Sequence, residues 1–217
     1  MDLRMLGDLE RPLMDTFAEW EAYKAAGGDK NCVQCHMPER PPRPAARGAE
    51  PRPGRSHRIL GPYDIDFVRQ GAKVEEVTLE ASRSEGAQAS VVIRNETGHR
   101  LPSAEPHRKL VAALEVLDGA GEVIAATREV MQRVVDLHTL VEPAGSDTSL
   151  LPREVRRVDL ALPGPLDAGA QSARVALRFV LWDPEDPVAK DAGLGPEALI
   201  LELLEQRGDI TAQGGAP

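Results

Sequence analysis

Two cysteines occur in 217 residues, and both fall within five consecutive positions, Cys32-Val33-Gln34-Cys35-His36. This C-x-x-C-H string is the attachment signature of a c-type haem. Two thiols three positions apart can each form a thioether to one vinyl group of the same porphyrin. The histidine directly after the second thiol then lies under the iron and offers its imidazole as an axial ligand. Other readings of the motif need surroundings that differ from these. A redox-active dithiol of thioredoxin type needs a preceding strand and a helix starting at the first cysteine, inside a βαβ unit. Here the preceding residues read as helical and a proline-rich loop follows. A Cys₂His₂ zinc site needs a second histidine at finger-like spacing, and His57 has no close histidine after it. A structural disulfide across C-x-x-C closes a tight loop, and no other cysteine is left for a disulfide framework or a Cys₄ site.

Composition narrows the class. A hydrophobic content of 41% with 28% charged residues describes a globular chain with room for one good-sized core. No apolar run approaches the length of a membrane span. The net charge of −9 makes nucleic acid an unfavourable partner and attracts a basic electron-transfer partner. Aromatic residues are scarce, and most of them (Phe17, Trp20, Tyr23, Tyr63, Phe67) precede residue 70. A porphyrin needs flat apolar walls, so their clustering beside the motif is informative. Covalent haem is installed outside the cytoplasm, and a periplasmic or extracellular location is expected. Met1-Asp2-Leu3-Arg4 opens without the basic n-region or apolar h-region of an export signal.

Three stretches are expected: a haem-binding segment over 1–72, a β-sandwich over 73–183, and a C-terminal helix and tail over 184–217. In the first, Thr16-Phe17-Ala18-Glu19 reads as a capping box opening a helix of about ten residues that stops at Gly27-Gly28. Phe17, Trp20 and Tyr23 are spaced by three and share one side of it, and Trp20 is a candidate to pack on the haem edge. From Pro41 to Ser56 the chain is rich in Pro, Arg, Gly and Ala with no hydrophobic period, and an extended loop is expected. Its arginines, among them Arg40, Arg43, Arg47, Arg52 and Arg55, are either solvated or available to haem propionates or an acidic partner.

From about Lys73 the pattern alternates. Val77, Leu79 and Ala81 predict one strand, Ala87 to Asn95 a second and Leu110 to Leu117 a third. Asp118-Gly119-Ala120-Gly121 is a hairpin turn into a fourth strand from Val123. Val155 to Leu162 gives another. Val175, Leu177, Phe179 and Leu181 alternate with Arg174, Ala176 and Arg178, as a half-buried antiparallel strand does. The fold class read from this is mainly β: an antiparallel, Ig-like β-sandwich after a short helix and a loop-rich haem segment. Pro196 to Gln206 carries Leu199, Ile200, Leu203 and Leu204 at helical spacing, so an amphipathic C-terminal helix is expected.

A six-coordinate haem takes a second axial ligand, and the histidines beyond His36 are His57, His99, His107 and His138. His57 ends the arginine-rich loop and is the first candidate. His99, in Asn95-Glu96-Thr97-Gly98-His99-Arg100-Leu101-Pro102, sits in a turn between strands and is the alternative. His107 and His138 read as surface residues, Met37 adjoins His36 and cannot reach the opposite face, and Met131 reads as core.

Four stretches together resemble the closing section of bacterial multihaem c-type cytochromes. They are Thr16 to Glu21, Cys32-Val33-Gln34-Cys35-His36-Met37-Pro38, Ser56-His57-Arg58-Ile59-Leu60-Gly61 and Thr97-Gly98-His99-Arg100-Leu101-Pro102. With the antiparallel β-domain that follows them in that group, the resemblance covers most of the chain in order, from about 16 to 182. The resemblance implies electron transfer by one covalent haem c, with His36 as proximal ligand and His57 or His99 as distal ligand. Members of that group carry several haem motifs upstream, whereas this chain has one. It therefore implies a monohaem subunit that passes electrons to other redox proteins or haem subunits in a hetero-oligomeric complex. A haem sensor or peroxidase-like protein with an open distal site is a second reading, and a structural subunit docking partners through its β-sandwich is a third. No Ser-His-Asp set, phosphate loop or pair of metal-binding carboxylates stands out, so an electron-transfer protein rather than an enzyme is expected.

Overall fold

Alternating apolar residues become sheet from Ala72 onward. The computed structural model describes residues 14–103, 105–136 and 139–211. Seven strands build two antiparallel sheets: β3 (Ala72–Ser82), β4 (Gly86–Asn95), β5 (Lys109–Leu117), β6 (Val123–Gln132), β7 (Val155–Pro163), β8 (Ser172–Val180) and β9 (Ile200–Asp209). One sheet runs β3-β4-β7, the other β6-β5-β8-β9. This is the expected Ig-like sandwich, with inner faces meeting across one core. Val91 and Ile93 of β4, Leu110, Ala112 and Leu114 of β5, and Val175 and Leu177 of β8 have no exposed surface. The turn after β5 forms as read: Asp118 accepts hydrogen bonds from the amides of Ala120 and Glu122, and Gly121 takes the left-handed φ of 86° that the turn requires.

The expected C-terminal helix does not form. Pro196–Leu199 makes one helical turn, and the chain then enters β9, which pairs with β8 along its length. The register between them shifts at Leu177/Arg178, where the partners step from Leu204 to Glu202 and Leu203 is the extra residue. A bulge resets the alternation of a strand by one residue. Ile200, Leu203 and Leu204 of the strand, with Leu199 at the end of the preceding helical turn, consequently fall at helical spacing. The outer face of this sheet is charged. Glu115 of β5 accepts from Arg174 and Arg178 of β8, and Arg178 reaches on to Glu202 of β9.

Three helices and a ribbon precede the sandwich: α1 (Thr16–Ala25), α2 (Cys32–His36), a ribbon of β1 (Glu39–Pro44) and β2 (Pro51–Arg55), and α3 (Ile65–Gly71), which runs into β3. A further short helix, α4, spans Pro187–Asp191. The arginine-rich stretch is thus a two-stranded antiparallel ribbon rather than an extended loop. The capping box at Thr16 is not made either. Asp15 occupies the cap position without a side-chain bond, Thr16 is the first helical residue, and Glu19 is turned to the sandwich. Met131 is core, as its place in a strand predicts, and His138 lies outside the described residues.

Candidate haem site

Helix α1 is fastened to the sandwich at three points. Tyr23 is buried, its ring lies under the Arg153 guanidinium at 5.3 Å, and its hydroxyl donates to Asp29 at 3.2 Å. Arg153 also donates to the carbonyls of Ala26 and Gly27, which the helix end leaves without intrahelical partners. Gly28 is required here, because a Cβ would stand 2.2 Å from the Tyr23 ring. The third point is Glu19. Its carboxylate accepts from the Arg100 amide at 2.9 Å and the Ser103 hydroxyl at 2.7 Å, both in the turn that carries His99.

From α1 the chain passes directly to the motif. The Trp20 indole donates to the Lys30 carbonyl at 3.1 Å, holding the approach to Cys32. Asn31 and Gln34 exchange side-chain and backbone bonds in a capping box that opens α2. This short helix presents Cys32 exposed and Cys35 half-buried, and the two thiols are not joined to each other. The helix does begin at the first cysteine, but no strand leads into it, so the βαβ surroundings of a thioredoxin-type dithiol are not met.

His36 is positioned from two sides. Its Nδ1 lies 2.6 Å from the Leu60 carbonyl oxygen, while the Leu60 amide donates to the His36 carbonyl at 2.8 Å. Only the tautomer with the proton on Nδ1 makes the first of these bonds, which leaves Nε2 as a lone-pair donor. Phe67 of α3 meets the imidazole edge-on, with ring centres 4.9 Å apart.

The second imidazole beside His36 is His99. Their ring centres are 6.4 Å apart and their planes are inclined by 29°. His99 is tied in the same way: its Nδ1 lies 2.8 Å from the Arg100 carbonyl, which again leaves Nε2. Its turn is built on Asn95, a fully buried residue at the end of β4. The Asn95 amide group donates to the carbonyls of His99, Leu150 and Leu151, and its oxygen accepts from the amide and hydroxyl of Thr97. Burial lowers the His99 pKa, against the opposing pull of the Arg100 carbonyl and the Glu19 charge, so the ring is neutral near pH 7.

The donor set fits a haem c. Two unjoined thiols stand at the motif spacing with an imidazole beside the second. His36 and His99, with ring centres 6.4 Å apart and Nδ1 of each engaged by a backbone carbonyl, are the imidazoles that would hold the iron. His57 is exposed and makes no ring contact with His36 among the described residues. His107 packs on Trp182 at 3.7 Å between ring centres and pairs with Glu105, apart from the motif. The roles of Asn95, Thr97, Glu19 and the Leu60 carbonyl at this site escaped the sequence reading, which placed Glu19 in a capping box and Thr97 and Leu60 only within resembling stretches. Only Asn95 left a signal, as a polar residue closing an apolar strand.

No protein-family profile matches the sequence, and no curated protein matches it. Among solved structures, the fold is similar to that of a penta-heme cytochrome c552 from Thermochromatium tepidum. The TM-score is 0.63 at 23% identity, over 94% of this chain and 52% of that one. The chain thus spans about half the length of that neighbour.

Proposed function

We propose that this chain holds one haem c through Cys32 and Cys35, with His36 and His99 as its axial ligands, and works as an electron-transfer subunit. The observation that carries the reading is the pair of imidazoles at 6.4 Å, each with Nδ1 tied to a backbone carbonyl. Such ties fix the tautomer and aim the remaining nitrogen. When bound, the haem supplies one-electron exchange between ferrous and ferric iron. The chain supplies both nitrogens, an apolar edge at Phe67 and a turn stiffened by Asn95. With both axial positions filled by the protein, no open site is left for a substrate, which favours transfer over catalysis.

The reading extends to setting. Covalent haem attachment implies an extracytoplasmic protein. A single haem needs neighbours to pass electrons on, which implies a larger redox assembly. Among the described residues no helix is long and apolar enough to cross a membrane.

Absorption spectra of the exported, matured protein test this reading, in ferric and ferrous forms with and without carbon monoxide. The wild type is expected to be low-spin and unchanged by carbon monoxide. His99→Ala is expected to become high-spin in part and to bind carbon monoxide, and His57→Ala to behave as wild type. If His57→Ala opens the iron and His99→Ala does not, the ligand assignment passes to His57. A high-spin wild type would move the sensor or peroxidase-like reading to the front.

A further inference from the structure

We infer that the β1–β2 ribbon is the docking site for the acidic face of an electron-transfer protein. The inference rests on the haem reading above and concerns what meets the haem from outside.

Residues 39–55 hold five arginines against two glutamates, a local charge of +3 in a chain whose net charge is −9. Their arrangement is unfavourable in the isolated chain. The strand register sets Arg43 directly opposite Arg52, and like charges facing each other across a strand pair destabilise it. Among the described residues, no ion pair is made by Arg43, Arg52 or Arg47 between them, and all three are exposed. The base of the ribbon is treated differently, since Arg55 is bound by Glu39 and by the Met37 carbonyl. An isolated two-stranded ribbon is only marginally stable, so an unneutralised arginine pair across it calls for an anionic surface from elsewhere.

The backbone points the same way. Pro41, Pro42, Pro44, Pro51 and Pro53 remove amide donors along both strands. Such edges are poor templates for a third strand. Recognition is left to the guanidinium groups, which bind carboxylates through two parallel hydrogen bonds. The ribbon also springs from the haem motif itself. The Ser56 amide donates to the Pro38 carbonyl, and the Leu60 amide to that of His36, so the ribbon begins and ends beside the proximal histidine. A partner seated on it is brought to the haem. Net charge alone favours a basic partner. Beyond about 10 Å in physiological salt, however, charges are screened, so a partner seated on the ribbon meets the ribbon's own arginines rather than the net charge of the chain.

The test reads the charge of the ribbon through the approach of a small charged oxidant. The ferrous protein is oxidised in a stopped-flow instrument by ferricyanide, one electron passing from each haem iron to give ferric haem and ferrocyanide. The same is done with the cationic oxidant cobalt(III) tris-phenanthroline, from about 10 mM to about 200 mM ionic strength. The ferricyanide rate is expected to fall several-fold with salt, against the sign of the net charge. In Arg43→Glu/Arg52→Glu that dependence flattens or inverts, and Arg43→Gln/Arg52→Gln lies between. A ferricyanide rate that rises with salt in the wild type overturns the inference, as does a dependence unchanged in the double variant. So does a salt-sensitive dimer, seen in sedimentation and lost in the double variant, which would give the ribbon to a second copy. A protein without haem bands after maturation would instead remove the reading on which the inference stands.

Discussion

Glu19→Ala removes the bond between the helix that leads to the haem motif and the turn that carries His99. In the folded protein the carboxylate accepts from the Arg100 amide at 2.9 Å and from the Ser103 hydroxyl at 2.7 Å. A hydrogen bond to a charged group contributes about 1.5–3 kcal/mol when buried. Glu19 is only half-buried, so the two bonds together are taken as about 2 kcal/mol. On the proposed ligation, at 1.4 kcal/mol per decade this is a roughly 30-fold increase in the population with His99 released from the iron. Carbon monoxide competes for that released state. Its binding rate to the ferrous protein, measured by flash photolysis or stopped flow, is therefore expected to rise about 30-fold in Glu19→Ala, with His99→Ala as the fully open reference. Glu19→Gln retains an acceptor oxygen and is expected to recover most of the closed state. A rate for Glu19→Ala within about twofold of wild type, with His99→Ala open, would refute the claim that this carboxylate positions the ligand turn.

Gly28→Ala should be costly although the residue lies outside any helix or strand. A Cβ there would overlap the Tyr23 ring at 2.2 Å, and that ring is held by Asp29 and Arg153. A loss of about 1–3 kcal/mol is expected, read by calorimetry as a melting temperature lower by roughly 3–10 °C. Glu115 gives a pH dependence. Burial pushes its carboxyl up, but hydrogen bonds and charge from Arg178 and then Arg174 outweigh burial and hold it below its ordinary 4.5. A depressed folded pKa means the stabilisation is fully present above pH 4.5 and is lost as pH falls through the lower folded value. Glu115→Gln is expected to cost about 2–3 kcal/mol at neutral pH and progressively less in acid, as measured by urea unfolding at several pH values.

Much of the sandwich was legible because its strands obey a period of two, and a one-residue slip would turn every side chain to the wrong face. Leu110, Ala112 and Leu114 on β5, and Val175, Leu177 and Phe179 on β8, are apolar at alternate positions and buried. The last strand was illegible for a local reason. The bulge at Leu203 shifts its apolar positions to helical spacing, and a bulge leaves no mark of its own in sequence. The ribbon was hidden because its strands consist largely of arginine and proline and bury nothing that would impose a period. The helix opening at Asp15 was misread because Thr16 and Glu19 form a valid capping pattern, yet tertiary contact with Arg100 and Ser103 claims the glutamate.

The site divides along the same line. In the proposed function, Cys32, Cys35 and His36 are read from five consecutive residues because covalent attachment would demand adjacency. The distal ligand proposed for that haem, His99, has no such demand on it. His57 is nearer in sequence and stands at the end of a stretch that looks free to fold back. That stretch is held instead at His36, whose Nδ1 bonds the Leu60 carbonyl and whose backbone carbonyl accepts from the Leu60 amide, and His57 is exposed. His99 arrives from the sandwich rim, on a turn whose shape is fixed by the buried Asn95. Among the described residues, the segment before β3 buries little of its own beyond Tyr23 and Val68, so it folds against the sandwich rather than by itself. With thiols from that segment and His99 from the sandwich, the proposed haem would tie the two together: losing the distal bond would loosen the docking of α1, and loosening α1 at Glu19 would weaken the distal bond. Ligation and docking are then two readouts of one equilibrium, so the Glu19 and His99 variants should be non-additive in both carbon monoxide binding and thermal stability.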